Sequence, residues 1–139
     1  MTFLTQTKLH DPPESIGNCW VTCISCILGL SESPELNALD DDFWEQSEAL
    51  ANKHGKTLIE FKLPMHNIVR VPEGCIYILS GVSPRDSTIN HAVVGKIIDG
   101  KHTVLHDPHP SRSGITTHDY ATFFLDQTKF TTPSNATSS

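Results

Sequence analysis

The chain has 139 residues, with 10 Lys and Arg against 16 Asp and Glu, so its formal net charge is −6. This length fits a single domain. A chain of this size buries roughly two-thirds of the surface that its unfolded form exposes, which is enough for a core of its own. Because the chain is acidic and has no basic run, we expect no nucleic-acid partner.

Neither a membrane segment nor an export signal is predicted. No window approaches the roughly 18 consecutive apolar residues that mark a membrane helix. Residues 1–10 lack the apolar core of a signal peptide. We therefore expect a cytoplasmic protein with no membrane partner. In a reducing compartment, its 4 cysteines are expected to be free, catalytic or metal-binding rather than bridged.

The first predicted element is a buried helix. Residues 11–18 are rich in turn-forming residues, with two prolines and a glycine. Residues 19–30 then read CWVTCISCILGL, which is apolar almost throughout. The length of this run favours a helix over a strand. Asn18 is the expected N-cap.

Two further helices are predicted. Ser33 followed by Pro34 has the form of an N-cap with a proline in the first turn, which predicts the start of a short helix. The acidic residues 40–42 predict the beginning of another helix over residues 43–54. Gly55 is expected to end it.

The second half of the chain predicts β-strands. Asp99-Gly100 lies between two apolar runs, which is a strong signal for a hairpin. The strands are expected at residues 57–63, 75–79, 91–98 and 102–106.

The remainder of the chain predicts a loop at residues 107–114 and a small polar tail at residues 131–139. Residues 117–130 fit either a helix or a last strand, and the sequence leaves both open.

Helices followed by antiparallel strands indicate an α+β fold. We expect one domain over residues 1–130.

Cys19 is the first candidate for chemistry. It lies in Gly17-Asn18-Cys19-Trp20, at the predicted start of the helix. A thiol reacts as its thiolate, and the unpaired N–H groups at a helix N-terminus stabilise that form. The alternative is a small buried core residue. Cys23 and Cys26 follow at helical spacing and are expected to be core residues behind it.

His91 and Asp107 are the second and third candidates. His91 begins a predicted strand, and imidazole is the usual base for a thiol nucleophile. Asp107 ends the next strand. A nearly symmetric hairpin register brings the two residues to the same end, where the carboxylate can orient the imidazole. Taken alone, each has an ordinary interpretation, as a structural histidine and as an Asp-Pro turn.

These motifs together resemble the papain-like cysteine peptidases. Gly-x-Cys-Trp at residues 17–20, then His91 at a strand start, then Asp107 before a proline, are in the order of the bacteriocin-processing peptidases and of small uncharacterised papain-like proteins in bacteria and phages. The resemblance covers residues 6–115. It implies an N-terminal helix carrying Cys19, packed on an antiparallel sheet carrying His91 and Asp107.

The resemblance also implies the chemistry. Cys19 corresponds to the nucleophile, His91 to the general base and acid, and Asp107 to the residue that orients His91. The expected reaction is hydrolysis of a peptide or isopeptide bond through an acyl-enzyme, with no cofactor and no metal. Transfer of the acyl group to an amine, as in transglutaminase-type relatives, uses the same residues. The family resemblance further implies a bacterial or phage origin, and a phage protein would act in the host cytoplasm.

One feature departs from the family pattern. The family stabilises the oxyanion with a glutamine shortly before the cysteine, whereas Gln6 precedes Cys19 by 13 residues. Either residues 11–15 loop out, or Gln6 has no such role. Asn18 then offers an amide, and the backbone N–H of Cys19 a second donor.

The short chain leaves little room for a specificity subdomain. We therefore expect a peptide or protein substrate in the form of a flexible tail or leader rather than a folded protein.

Two metal sites are alternatives. The cysteines form C-x3-C-x2-C, the spacing that holds an iron–sulfur cluster in radical-SAM enzymes, but this chain is short for those enzymes. A zinc ion could be held by His106 and His109, with His91 or His118. Asp107 would then be a further possible ligand.

A non-catalytic binding module is the remaining alternative. Arg112 stands between two serines in the predicted loop, and a guanidinium there could recognise a carboxylate or phosphate. Residues 83–86, just before His91, are interpreted either as a loop beside the cleft or as a simple turn.

Overall fold

The computed structural model describes residues 1–12, 17–64 and 70–127. The described residues form the helices α1 and α2 and the strands β1 to β5, with these bounds: Cys19–Leu28, Phe43–Lys53, Lys56–Lys62, Ile76–Val82, Asn90–Ile98, Lys101–His106 and Tyr120–Asp126. Neither helix in these ranges has the length and apolar character needed to traverse a bilayer. The expected tail at residues 131–139 lies outside the described residues, as does the predicted domain end at residue 130.

The strands form a single antiparallel sheet in the order β1-β5-β2-β3-β4. The predicted α+β class is therefore confirmed. Within residues 117–130, which the sequence left open, Tyr120–Asp126 form strand β5, which lies between β1 and β2.

Each face of the sheet carries a cluster of buried apolar side chains, because successive side chains of a strand point to opposite faces. On one face, Cys23 and Cys26 of α1 pack against Ile78, Ala92 and Val94 of β2 and β3. The opposite face carries a second apolar cluster: Leu63, Tyr77, Leu79, Val93, Ile97, Ala121 and Phe123. Helix α1 is thus held against the strand that carries His91.

Helix α1 begins at Cys19 as predicted. It ends at Leu28 because Gly29 takes the left-handed conformation, with φ 77°, and donates its N–H back to the last turn. Asn18 occupies the N-cap position, but its side chain makes no capping hydrogen bond. The predicted N-cap residue is therefore confirmed, but the Asn18 amide bonds to Thr7 and Lys8 of the N-terminal segment and not to the helix.

The short helix predicted from Ser33 does not form. Residues 31–42 are turns and irregular chain, and nearly all are exposed. A helix this short is unstable in water unless it buries an apolar face, and this segment has none. Helix α2 follows where the acidic residues predict it, over Phe43–Lys53, and Gly55 has φ 77° just beyond its end.

The β3–β4 hairpin forms at the predicted turn. Asp99 and Gly100 both have positive φ, 53° and 74°, as a two-residue turn of this kind requires. The pairing then contains an irregularity, since Gly95 pairs with Val104 but Val94 pairs with His106. One residue of β4 is therefore extra, which is a β-bulge.

Candidate active site

A cavity of about 620 Å³ opens where the start of α1 meets the start of β3. Its lining includes Gln6, Cys19, Trp20, His91 and His109. Separate parts of the chain reach it, among them the N-terminal segment, the starts of α1 and α2, the β2–β3 loop, the start of β3 and the loop after β4. The structure thus brings the predicted cysteine and histidine to one cavity.

His91 and Asp107 form a buried pair beside this cavity. His91 is the second residue of β3 and is 5% exposed, while Asp107 directly follows β4 and is 3% exposed. The Nε2 atom of His91 lies 2.6 Å from Oδ1 of Asp107. This is a charge-assisted hydrogen bond, in the short range that such bonds have.

The loop after β4 holds the Asp107 carboxylate in place. The backbone N–H of His109 donates to Oδ1 at 2.9 Å, and that of Gly114 donates to Oδ2 at 2.7 Å. Burial disfavours the charged carboxylate, but the hydrogen bonds from His91 and from these two backbone groups outweigh it. The pKa of Asp107 is therefore held below its usual range, and the group is ionised.

The environment of His91 favours the imidazolium. Burial opposes this charge, but hydrogen bonds with Asp107 and Cys19 outweigh burial and raise the pKa of His91 to about 9. Since Nε2 is bound to Asp107, the nitrogen left to face the Cys19 thiol is Nδ1. The imidazole therefore lies between a carboxylate and a thiol.

Cys19 is the cysteine of α1 that reaches the cavity. It is the first residue of the helix, is half-buried and has a free thiol. Cys23 and Cys26 are fully buried in the core behind it. Burial raises the pKa of both thiols, so they stay protonated. This matches their predicted role as core residues.

Gln6 is anchored at the cavity wall. Its backbone N–H donates to the Pro108 carbonyl at 2.8 Å, and its side-chain Nε2 donates to the Lys8 carbonyl at 2.9 Å. A carbonyl oxygen only accepts, so this bond fixes which end of the amide is nitrogen. The second N–H of Nε2 is not used by Lys8. The Oε1 atom is buried, with no partner among the described residues.

The long gap between Gln6 and Cys19 has a structural explanation. The Lys8 N–H donates to Oδ1 of Asn18 at 2.9 Å, and the Asn18 N–H donates to the Lys8 carbonyl at 3.1 Å. These bonds place Lys8 and Asn18 side by side, so the residues that lengthen the gap are those between them. Residues 13–16, part of the segment expected to loop out, lie outside the described residues.

The Asn18 amide is occupied away from the cavity. Besides accepting from Lys8, its Nδ2 donates to the Thr7 hydroxyl at 3.1 Å. Of the two side chains considered for the oxyanion, Gln6 therefore lines the cavity, and Asn18 links α1 to the N-terminal segment.

The histidines considered for zinc do not come together. The Nε2–H of His106 donates to the Leu4 carbonyl, 2.6 Å away, and His118 packs edge-to-face against His102. His109 lies near His91, with ring centroids 6.1 Å apart. In the described ranges, no three His, Cys, Asp or Glu side chains are grouped so as to hold a metal ion.

Arg112 braces the loop instead of facing a ligand. Its guanidinium donates to the backbone carbonyl of Asp107 at 2.5 Å and to the Thr5 hydroxyl at 2.6 Å. Arg85 and Asp86, by contrast, line the cavity, so the segment before His91 is a loop beside the cleft. The sequence carried no signal for the bracing role of Arg112, because this role depends on contact with Thr5, which is distant in the chain.

The arrangement can support thiol chemistry. It combines a half-buried thiol at a helix N-terminus, an imidazole in contact with it, an ionised carboxylate behind the imidazole and an anchored amide at the cavity wall. No protein-family model matches this sequence, and comparisons with curated proteins and with solved structures give no match.

Proposed function

We propose that this chain is a papain-like cysteine hydrolase that cleaves a peptide or isopeptide bond through Cys19, His91 and Asp107. The observation that carries the proposal is the buried 2.6 Å bond between His91 and Asp107, with the Cys19 thiol at the other side of the imidazole. A thiol, a base and a group that orients the base are the parts that nucleophilic catalysis requires.

In this proposal the Cys19 proton is already on Nδ1 of His91 before the substrate binds, because His91 is protonated below about pH 9. The thiolate attacks the substrate carbonyl carbon, a C–S bond forms, and the carbonyl electron pair moves to oxygen. His91 then gives its proton to the leaving amine as the C–N bond breaks, which leaves an acyl-enzyme. Water attacks this thioester with His91 as base, and the carboxylic acid product leaves as Cys19 is regenerated.

The free N–H of Gln6 and the backbone N–H of Cys19 serve as donors to the oxyanion in this proposal. A donor of this kind is effective when the protein holds it in place before the charge develops. The bonds of Gln6 to Pro108 and Lys8 supply that rigidity.

The shape of the cavity favours a flexible segment as substrate. Its volume of about 620 Å³ is in the range of pockets that enclose a drug-sized ligand, which corresponds to a few residues of extended chain. A tail or leader fits this space, whereas a folded surface does not enter it.

The test uses p-nitrophenyl acetate, an activated ester that acetylates a reactive thiol. The wild-type protein is expected to turn it over and, after an acid quench, to carry acetyl on Cys19 by mass spectrometry. The matched control is Cys75→Ala, which removes a half-buried thiol elsewhere and should leave turnover unchanged. Turnover that persists in folded Cys19→Ala protein would contradict the proposal.

A further inference from the structure

Arg85 lies at the edge of the proposed active-site cavity, on the loop between β2 and β3. Its backbone N–H donates to the hydroxyl of Ser83, a buried residue. Its guanidinium Nη1 donates to the Ser111 hydroxyl at 2.9 Å. The side chain therefore links the loop before His91 to the loop after β4.

Among the residues that the structure describes, Arg85 has no acidic partner. The ion pairs found in the described ranges join Lys8 to Glu35 and His91 to Asp107. The carboxylate of the adjacent Asp86 accepts from the backbone and the hydroxyl of Thr88, at 2.9 and 2.6 Å, and so closes its own turn. A guanidinium has five N–H donors, and the Ser111 bond uses one of them.

His91, whose pKa is raised to about 9, is a second cation in the cavity that Arg85 lines, although the chain as a whole carries a net charge of −6. His91 and His109 line the same cavity. Burial is the main cause that lowers the pKa of His109, and the positive charge of Arg85 is the next. Arg85 is therefore close enough to act electrostatically on the group beside the proposed base.

The other walls of the cavity include apolar side chains such as Trp20, Phe43 and Ile89. Apolar walls reduce the local dielectric constant, so the field of an unpaired guanidinium is stronger there than at an open surface. A planar guanidinium with adjacent free donors matches the two oxygens of a carboxylate.

We propose that Arg85 is a specificity-determining residue that binds a carboxylate of the substrate close to the bond attacked by Cys19. This inference rests on the proposed function. The carboxylate belongs either to an acidic side chain of the substrate or to its C-terminus, and both offer the same two oxygens to the guanidinium.

The test compares two alkylating reagents that differ in one charge. Iodoacetate carries a carboxylate beside the carbon that the thiol attacks, and iodoacetamide carries a neutral amide there. The ratio of their labelling rates at Cys19 is measured by mass spectrometry. We expect Arg85→Gln to lower this ratio by roughly three- to tenfold, and Arg85→Lys to retain part of it.

The control is Arg70→Gln, which removes a guanidinium from an exposed position at a different cavity. It is expected to leave the ratio unchanged. If Cys19 is labelled rapidly but the ratio is the same in Arg85→Gln and in the wild type, Arg85 binds no carboxylate. If both reagents label Cys19 slowly even in the wild type, the proposed function itself is wrong.

Protection experiments distinguish the two sources of the carboxylate. N-acetyl-glycylglycine offers a C-terminal carboxylate, N-acetyl-glutamate amide offers a side-chain carboxylate, and N-acetyl-glutamine amide is the neutral control. The source is the compound that slows iodoacetamide labelling of Cys19 in the wild type but not in Arg85→Gln. Protection by neither acid beyond the neutral control would contradict the inference.

Discussion

Two histidines at opposite ends of the β3–β4 hairpin have opposite acid–base behaviour. His91, at the start of β3, is bonded to the Asp107 carboxylate, and despite its burial its pKa is raised to about 9. His102, in β4, is bonded through Nδ1 to the hydroxyl of Tyr77. Burial, and then the neighbouring His118, lower the pKa of His102.

The difference follows from the charge of the partner. Burial raises the pKa of Tyr77, so its phenol is neutral and supplies no charge to stabilise an imidazolium. Asp107 is ionised and supplies that charge. A cavity of about 590 Å³ lies beside His102 as well, but no cysteine is among the residues that line it. A buried histidine beside a cavity therefore becomes a candidate base only with an anion behind it and a nucleophile in front.

The largest expected effect separates the two histidines directly. His91→Ala should reduce turnover of p-nitrophenyl acetate by roughly 10²–10⁴-fold, the usual contribution of a general base. His102→Ala should leave turnover within about twofold of wild type, because no reacting group lies beside it in this proposal. Circular dichroism checks that both variants are folded. An equal loss in both folded variants would remove the distinction between the two sites.

The Asp107→Asn variant tests the role of the charge. The raised pKa means that His91 is protonated below about pH 9 and loses its proton above it, so the rate should fall as the pH rises through that value. Asparagine removes the negative charge, so this alkaline limit should move to lower pH, and a reduced activity should remain. The measurement is the pH profile of the acetylation rate. A limit that stays at the wild-type position would show that Asp107 does not control His91.

A smaller effect is expected from Cys23→Ser, which concerns stability and not chemistry. Cys23 is fully buried between α1 and the sheet. A hydroxyl in this environment should cost about 1–3 kcal/mol of unfolding free energy, seen as a lower urea midpoint, with acetylation of Cys19 retained. Loss of acetylation in a folded Cys23→Ser protein would show that the division between nucleophile and core cysteine is wrong.

The smallest effect is expected from Tyr77→Phe. It removes the hydrogen bond to His102 but keeps the ring that packs against Phe123. One neutral hydrogen bond contributes about 1 kcal/mol to stability, so the urea midpoint should fall slightly and the acetylation rate should not change. A drop in acetylation rate comparable to that of His91→Ala would mean that the two ends of the hairpin are coupled.

The local features of the fold could be predicted from the sequence. The Asp99-Gly100 turn and the start of α1 at Cys19 depend on residues that are neighbours in the chain. The predicted helix at Ser33 failed because its signal was local, while its stability required an apolar face that this segment lacks.

The details that position the site depend on distant contacts. In an unbroken symmetric ladder, Asp107 would lie opposite Ala92, and its side chain would point to the other face from His91. The bulge between Val94 and Gly95 adds one residue and reverses this alternation. The sequence predicted that His91 and Asp107 share an end of the hairpin, but it contained no signal for the bulge.

The position of Gln6 also depends on contacts between residues that are distant in the chain. Its place at the cavity depends on the pairing of Lys8 with Asn18 and on the bond to Pro108. These partners are far apart in the chain, so the spacing between Gln6 and Cys19 alone could not decide whether Gln6 reaches the cavity.

The most direct test of the central claim is the reactivity of Cys19 towards limiting iodoacetamide from pH 5 to 9 in the wild type and in His91→Ala. The account predicts fast labelling of Cys19 in preference to Cys23, Cys26 and Cys75, whose thiols are kept protonated by burial. This labelling should persist below pH 7 and be lost in His91→Ala. Slow labelling with the pH profile of an ordinary thiol, and the same rate in both proteins, would contradict the account.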